Sequence, residues 1–109
     1  MLKDIAAINI INLCKEHDVD FLLYSTQSII GTKTSKEKLL DKLTSDNTIM
    51  TEEMNVEEMI DYVDSNIIKV LIIEYNEMKY NHIKGLIAKI TGVNYTQSQN
   101  GFLDCSETG

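Results

Sequence analysis

The chain has 109 residues, of which 43% are apolar and 25% charged, and this composition excludes an intrinsically disordered protein. Its formal net charge is -7, and all ten basic residues are lysines. Arginine is the preferred residue for bidentate phosphate contacts and for stacking on bases, so an acidic chain without arginine is a poor candidate for direct binding of DNA or RNA.

The length fits one domain with one hydrophobic core, and no linker, repeat or low-complexity tract divides it. We therefore predict a single domain over residues 1–109. No apolar run approaches the roughly 18 residues that a membrane-spanning helix needs. The two cysteines, Cys14 and Cys105, do not make a disulfide framework, so we expect reduced thiols in a cytoplasmic protein.

The first predicted elements are a helix and a strand. Asp4 can cap a helix that runs to about Glu16. The residues expected along one face of this helix are Ile5, Ile8, and Ile11 or Asn12. The continuously apolar run Phe21–Tyr24 then predicts a short buried strand.

A polar stretch and a second helix are predicted next. Residues 25–33 are typical of a loop, in which Ile29 and Ile30 would be exposed. Thr34 and Glu37 have the spacing of a capping box and predict a short helix. Its inward residues would be Leu39, Leu40 and Leu43.

Another capping box precedes the most acidic segment. Asn55 and Glu58 have the required spacing and predict a helix over residues 56–64. Its apolar stripe at helical spacing consists of Val56, Met59, Ile60 and Val63.

The last third of the chain predicts one strand, one helix and two short strands. Residues 66–73 are rich in β-branched side chains and favour a central strand, and residues 77–91 favour a helix with Gly92 as its C-cap. The inward residues of that helix would be Met78, Ile83, Leu86, Ile87 and Ile90. Residues 93–95 and 101–105 would form the final strands.

This order predicts an α/β (or α+β) fold. We expect a small, mostly parallel sheet of three to four strands packed by about four helices. Apolar positions across residues 66–91 also fit one long helix, so an all-α bundle is the alternative.

An acidic segment over residues 51–64 carries nearly all of the net charge. It holds six carboxylates and no basic residue, whereas residues 1–50 carry six lysines against seven acids and residues 65–109 carry four against four. The candidate partner-binding residues are Glu52, Glu53, Glu57, Glu58, Asp61 and Asp64. A concentrated patch can steer a basic partner, although acids in a first helical turn also need no function.

Glu57, Asp61 and Asp64 would form an outward ridge whose spacing resembles that of successive phosphates. A small, acidic chain without a catalytic motif shares this profile with anti-CRISPR and anti-restriction inhibitors. We therefore predict a non-enzymatic inhibitor, encoded by a phage or mobile element, that blocks a nucleic-acid-handling enzyme by imitating nucleic acid. Its partner would be a protein with a basic surface, and a homo-oligomer is also compatible with the sequence.

Two alternatives stay open. The first is an immunity protein that neutralises a toxin. The second is a small α/β enzyme or ligand-binding domain with its site at the carboxyl ends of the strands. The residues at those ends would be Ser25, Thr26, Glu74, Asn76 and Glu77.

No cofactor or metal is predicted. Cys14 and His17 lie three positions apart, which is half of one ligand pair of a zinc site. Residues 31–35, Gly-Thr-Lys-Thr-Ser, depart from the phosphate-loop motif because Thr32 separates the glycine from the lysine.

Overall fold

The computed structural model describes residues 1–35, 50–99 and 101–108. In chain order its elements are α1 (Asp4–Glu16), β1 (Asp20–Ser25), β2 (Ser28–Gly31), β3 (Met50–Glu53), α2 (Val56–Tyr62), β4 (Ile67–Ile73), α3 (Glu77–Ile87), β5 (Val93–Gln99) and β6 (Phe102–Glu107). Across these ranges, none of the helices combines the length and the apolar character needed to span a membrane.

The six described strands form one mixed sheet in the order β3-β2-β1-β4-β6-β5. Only β2 and β3 pair in parallel, and the other neighbouring pairs are antiparallel. The predicted α/β class and small size are confirmed. The predicted three- to four-stranded, mostly parallel sheet is wrong, as is the all-α alternative. Two residues, Thr26 and Gln27, join β1 to β2, which suits an antiparallel hairpin and is too short for a parallel crossover.

Two strands were not expected from the sequence. β2 occupies the predicted loop, and its residues Ile29 and Ile30 are buried rather than exposed. β3 lies at the edge of the sheet, where an acidic strand of four residues can keep its charges in solvent.

All three described helices pack against one face of the sheet and form the main core. The strands contribute alternate residues such as Leu23, Val70, Ile72 and Leu103. From the helices come Ala6, Ala7, Ile10, Ile11 and Cys14 of α1, Met59 of α2, and Tyr80, Ile83 and Ile87 of α3. Truncating a fully buried leucine or isoleucine in such a core costs about 2–5 kcal/mol.

The span predicted for α1 is confirmed, but its predicted cap is wrong and its predicted apolar face is only partly buried: Ile11 is buried and Ile5 is not. Ile5 is 71% exposed, whereas Ala6 and Ala7 face the sheet. The N-cap is Lys3, without a side-chain cap, and the Asp4 carboxylate accepts a hydrogen bond from the Ser65 backbone N–H at 2.8 Å. Asp4 thereby ties the start of α1 to the turn that follows α2.

The capping box that opens α2 is confirmed. The Asn55 side chain accepts from the Glu58 N–H at 2.8 Å, and the Glu58 carboxylate accepts from the Asn55 N–H at 3.1 Å. α2 ends at Tyr62, two residues before the predicted end, because Val63 has an extended backbone.

α3 begins as predicted and ends early. Asn76 caps it through the Lys79 N–H at 2.9 Å, and its C-cap is Ala88 rather than Gly92. Gly92, with a φ of 84°, lies just before β5. Met78, predicted to face inward, is 85% exposed.

The helix predicted from Thr34 to Leu43 lies almost entirely outside the described residues. Only its start, residues 33–35, is described, and it is helical. The Ser35 hydroxyl is buried and accepts hydrogen bonds from the Phe21 N–H at 3.2 Å and from the Thr32 hydroxyl at 3.0 Å. These contacts give the 31–35 segment a structural role beside β1.

The two ends of the described chain meet. The Met1 ammonium group lies 2.8 Å from a Glu107 carboxylate oxygen, and the Leu2 N–H donates to the Ile67 carbonyl at 2.9 Å. The amino-terminal segment is thus held against β4 and β6, the two strands that follow β1 in the sheet order.

Candidate functional site

The second face of the sheet carries a smaller apolar cluster to which no described helix contributes. Its buried members are Leu22, Ile29, Leu71, Ile73 and Phe102. They alternate along β1, β2, β4 and β6 with the residues of the main core, because successive side chains of a strand point to opposite faces.

A polar cluster lies on the same face, and we call Tyr24, Lys69 and Asp104 the Lys69 cluster. Lys69 stands opposite Tyr24 in the register of β1 and β4, and its Nζ lies 4.7 Å from the centroid of the Tyr24 ring. The same Nζ lies 2.9 Å from Asp104 Oδ2 on β6. Three central strands thus each supply one member.

The Lys69 cluster is partly exposed and electrically almost balanced. The side chains of Lys69 and Asp104 keep 33% and 23% of their surface exposed. Burial raises the pKa of the Tyr24 hydroxyl, the nearby Lys69 ammonium opposes that rise, and Asp104 adds to it. Tyr24 therefore keeps its proton at neutral pH and can donate a hydrogen bond.

Each member of the cluster has hydrogen-bonding capacity left for a ligand. An ammonium group has three donors, and one Lys69 donor is directed at Asp104. A carboxylate has several lone pairs, and a phenol both donates and accepts. The Lys69–Asp104 ion pair has no net charge and lies beside the Tyr24 phenol. Such a group binds the hydroxyl groups of a polar molecule better than it binds an isolated anion.

The predicted strand-end site is not assembled. Because β1 and β4 are antiparallel, their carboxyl ends lie at opposite ends of the sheet, so Ser25 and Thr26 are far from Glu74. Thr26 instead donates its N–H to the Asn66 carbonyl at 3.0 Å, next to the start of β4.

Ser25 has a structural role in the β1–β2 hairpin. Its hydroxyl donates to the Ser28 carbonyl at 2.9 Å and accepts from the Ser28 N–H at 3.0 Å. The same oxygen lies 3.1 Å from the Tyr62 hydroxyl of α2. These contacts use the hydrogen-bonding capacity that a ligand would need.

The other end of β4 does carry an open cavity of about 350 Å³. Glu74 and Glu77 line it, as predicted for a strand end, while Asn76 serves as the cap of α3. The Glu74 carboxylate lies 3.5 Å from the Lys79 ammonium group and accepts from the Asn76 N–H at 3.0 Å. This cavity holds two acids and no basic side chain among its lining residues.

The acidic residues predicted to bind a partner are spread over β3, α2 and the turn after it. Glu57 lies 2.8 Å from the Lys15 ammonium group, a contact that lowers the pKa of its carboxyl, and Glu58 closes the capping box. Glu53, Asp61 and Asp64 are exposed, and Glu52 is half-buried. Binding of a protein partner by these six carboxylates stays a prediction.

Both cysteines are free and buried, as expected. Burial is the main cause that raises the pKa of each thiol, to about 12 for Cys105, so both remain protonated at neutral pH. A protonated, buried thiol is a poor metal ligand.

The Lys69 cluster was not predicted from the sequence. One signal was present: Lys69 is the only charged residue in the apolar run Ile67–Ile73. A lysine inside a central strand needs a partner, but the identity of that partner depends on the pairing of β4 with β1 and β6.

Comparisons with known proteins identify a family for this chain and solved structures with a similar fold. The sequence model of a family described as haloacid dehalogenase-like hydrolases matches residues 2–109. A comparison with curated proteins gave no match.

Several solved structures share the fold. A haloacid dehalogenase-like hydrolase from Bacteroides thetaiotaomicron has a TM-score of 0.73 at 18% identity, over 100% of this chain and 40% of that chain. A sugar phosphatase of subclass IIB has a TM-score of 0.68 at 14% identity, over 99% of this chain and 39% of that chain. A protein from Thermotoga maritima has a TM-score of 0.77 at 14% identity, over 99% and 40%. At these identities the likeness concerns the fold, and this chain spans about two fifths of each.

The family match contradicts the prediction of a non-enzymatic inhibitor from a phage or mobile element. That prediction rested on small size, acidity and the absence of a readable motif. A domain that belongs to a hydrolase family can have the same three properties. The enzyme alternative agrees better with the comparisons, although its predicted strand-end site is not formed.

Proposed function

Because the chain belongs to the haloacid dehalogenase-like hydrolase family, we propose that it takes part in the hydrolysis of phosphate esters as the domain that contacts the leaving group of the substrate. The single observation that carries this proposal is the Lys69 cluster on the sheet face to which no described helix contributes. The sugar phosphatase among the fold relatives suggests a phosphorylated sugar as the substrate class.

The chemistry of the cluster supports a hydroxyl-rich leaving group. Lys69 can donate to a sugar oxygen, Asp104 can accept from a sugar hydroxyl, and Tyr24 can do either. Their mutual contacts hold the three groups in place before a ligand arrives, which lowers the entropic cost of binding.

This chain matches only part of each solved structure, which supports a separation of substrate binding from ester cleavage. This chain corresponds to about two fifths of each solved structure. We propose that the groups that cleave the phosphate ester belong to the part of such a protein to which these residues have no counterpart. The Lys69 cluster then acts through binding and orientation, which lowers a reaction barrier by holding the substrate in a reactive geometry.

A binding titration tests the proposal directly on this chain. The isotope-labelled protein is titrated with glucose 6-phosphate, glucose and inorganic phosphate, and the backbone signals of residues 24, 69 and 104 are followed by NMR. We expect the largest, saturable changes at these residues with glucose 6-phosphate. The variant Lys69→Met should weaken binding about 10- to 100-fold, the range for losing a hydrogen bond to a charged group.

Lys89→Met is the matched control, because Lys89 is an exposed lysine beyond the end of α3 and outside the cluster. It should leave the titration unchanged. Circular dichroism confirms that both variants are folded. Changes that spare the cluster, or that persist in Lys69→Met, would show that this face does not contact the sugar.

A kinetic test separates leaving-group binding from general damage. In a hydrolase that contains these residues, Lys69→Met should raise KM for a hexose phosphate more than for p-nitrophenyl phosphate, whose leaving group has no sugar hydroxyls. An equal effect on both substrates would contradict a role for Lys69 in contacting the sugar.

A further inference from the structure

The chain has two histidines, and the structure brings their rings together. The ring centroids of His17 and His82 lie 5.4 Å apart, with an angle of 72° between the ring planes. His17 is the C-cap of α1 and His82 lies in the middle of α3, so the contact joins two helices on the side of the sheet opposite the Lys69 cluster.

The backbone that carries His17 is held in place. The His17 N–H donates to the Leu13 carbonyl at 3.1 Å, and the Val19 N–H donates to the Cys14 carbonyl at 2.9 Å. The Lys79 ammonium group of α3 donates to the Asp18 carbonyl at 3.0 Å, which fixes α3 beside the end of α1. The residues next to His82 on α3 that anchor it to the core are Tyr80 and Ile83.

We propose that His17 and His82 form a two-histidine site for a divalent transition-metal ion of the class that prefers imidazole, such as Zn²⁺, Ni²⁺ or Cu²⁺. When two imidazoles bind one ion at about 2.1 Å with a tetrahedral angle, their ring centres lie about 5 Å apart. The observed separation of 5.4 Å is close to that distance. A steep angle between the ring planes is compatible with it, because each ring can turn about its own metal–nitrogen bond.

The electrostatic surroundings favour a cation. The site lies at the C-terminus of the 13-residue helix α1, where the helix dipole attracts positive charge. Glu16 and Asp18, on either side of His17 in the chain, are both exposed. The Lys79 ammonium group, which reaches the Asp18 carbonyl beside His17, is paired with the Glu74 carboxylate at 3.5 Å.

Two protein ligands make this an open site. In the ranges that the structure describes, no group of three or more His, Cys, Asp or Glu side chains is arranged to hold a metal, so water completes the coordination. Cys14 is not included in the site because its side chain is buried in the main core. A bound ion would bridge α1 and α3 and stabilise the folded state in proportion to its occupancy.

Calorimetry and thermal unfolding test the site on the chain freed of metal with a chelator. We expect saturable binding of one Zn²⁺ or Ni²⁺ per chain and a rise in Tm at saturating metal. His17→Gln and His82→Gln should each weaken binding at least tenfold and abolish the rise in Tm, because either change leaves a single imidazole. Asn81→Ala, a change at an exposed neighbour of His82, should leave both unchanged.

Electron paramagnetic resonance of the Cu²⁺-loaded chain gives a readout that requires no variant. Hyperfine structure from two equivalent imidazole nitrogens is the expected result. A one-nitrogen pattern, the lack of one-to-one saturable binding, or binding that survives in a folded His82→Gln variant would each overturn the proposal.

Discussion

Gly101 lies directly against Tyr75: a Cβ atom built on Gly101 would stand 2.7 Å from Cδ1 of the tyrosine ring and 3.0 Å from the Glu74 carbonyl oxygen. Gly101 also has a φ of 86°, in the left-handed region, where a residue with a side chain is strained by about 1–2 kcal/mol. We therefore expect Gly101→Ala to lower the free energy of unfolding by about 1–3 kcal/mol in urea denaturation.

Gly85→Ala is the opposite case and serves as the control. Gly85 lies inside α3, and a Cβ atom there would meet nothing within 4 Å. Alanine should raise the free energy of unfolding by about 0.5–1 kcal/mol, because glycine costs backbone entropy in a helix. If both variants changed the free energy of unfolding in the same direction, local backbone conformation would not explain their effects.

The capping box of α2 predicts the effect of changing Asn55. Asn55→Ala removes the acceptor for the Glu58 N–H and should cost about 0.5–2 kcal/mol, measured by chemical denaturation. Asn55→Asp keeps an acceptor at the same place and should cost much less. Equal losses in the two variants would show that the side-chain acceptor at position 55 is not the source of the stabilisation.

A buried hydrogen bond joins α3 to the first residue of β6. The Tyr80 hydroxyl donates to the Phe102 carbonyl at 3.0 Å. Tyr80→Phe keeps the ring and removes this donor, so the free energy of unfolding should fall by about 0.5–1.5 kcal/mol. Tyr95→Phe, at an exposed position of β5, should change it far less; a larger effect at Tyr95 would contradict the assignment.

The buried thiols predict a loss of stability at alkaline pH. Burial raises the pKa of Cys105 to about 12 and also raises the pKa of Cys14. A group whose pKa is higher in the folded state stabilises the protein fully below its unfolded-state pKa, and this stabilisation disappears as pH rises toward the folded-state value. The free energy of unfolding should therefore fall steadily from about pH 9 upward, near the ordinary thiol pKa.

The variant Cys14→Val/Cys105→Val isolates the contribution of the thiols. Valine fills a similar volume and cannot ionise, so the double variant should lose less stability between pH 8 and pH 10.5 than the parent chain. Urea denaturation at a series of pH values measures the difference. Parallel curves for the two proteins would assign the alkaline loss to other groups, among them Tyr24, whose pKa burial also raises.

The central strands were predictable because they are buried on both faces. Most of β1 is an apolar run, and β4 is an apolar run interrupted only by Lys69; such runs identify central strands. β2 and β3 are short and include serine, glycine or glutamate, so they read as loops. Large apolar residues also dominated the prediction for α1, whereas the structure buries Ala6 and Ala7, whose small side chains allow the helix to approach the sheet closely.

The Lys69 cluster could not be predicted, because its members belong to three strands whose neighbours are set by tertiary pairing. Lys69 and Asp104 meet only because β4 pairs with β6, and Tyr24 joins them because β1 pairs antiparallel with β4. The same antiparallel pairing separates Ser25 from Glu74, which a parallel sheet would have brought to one edge. The directions of the strands therefore decided both the site that forms and the site that does not.

The ion pair between Met1 and Glu107 has a consequence for how this fold can be joined to other sequence. A fold in which a residue before α1 and a residue of β6 are neighbours can be inserted into a host protein at a single point without disturbing the host's own strands. The same proximity would let a short glycine-rich linker connect the two ends, with new ends opened elsewhere on the surface. The fold is therefore suited to insertion and to circular permutation, because a permuted chain would keep the same order of strands in the sheet.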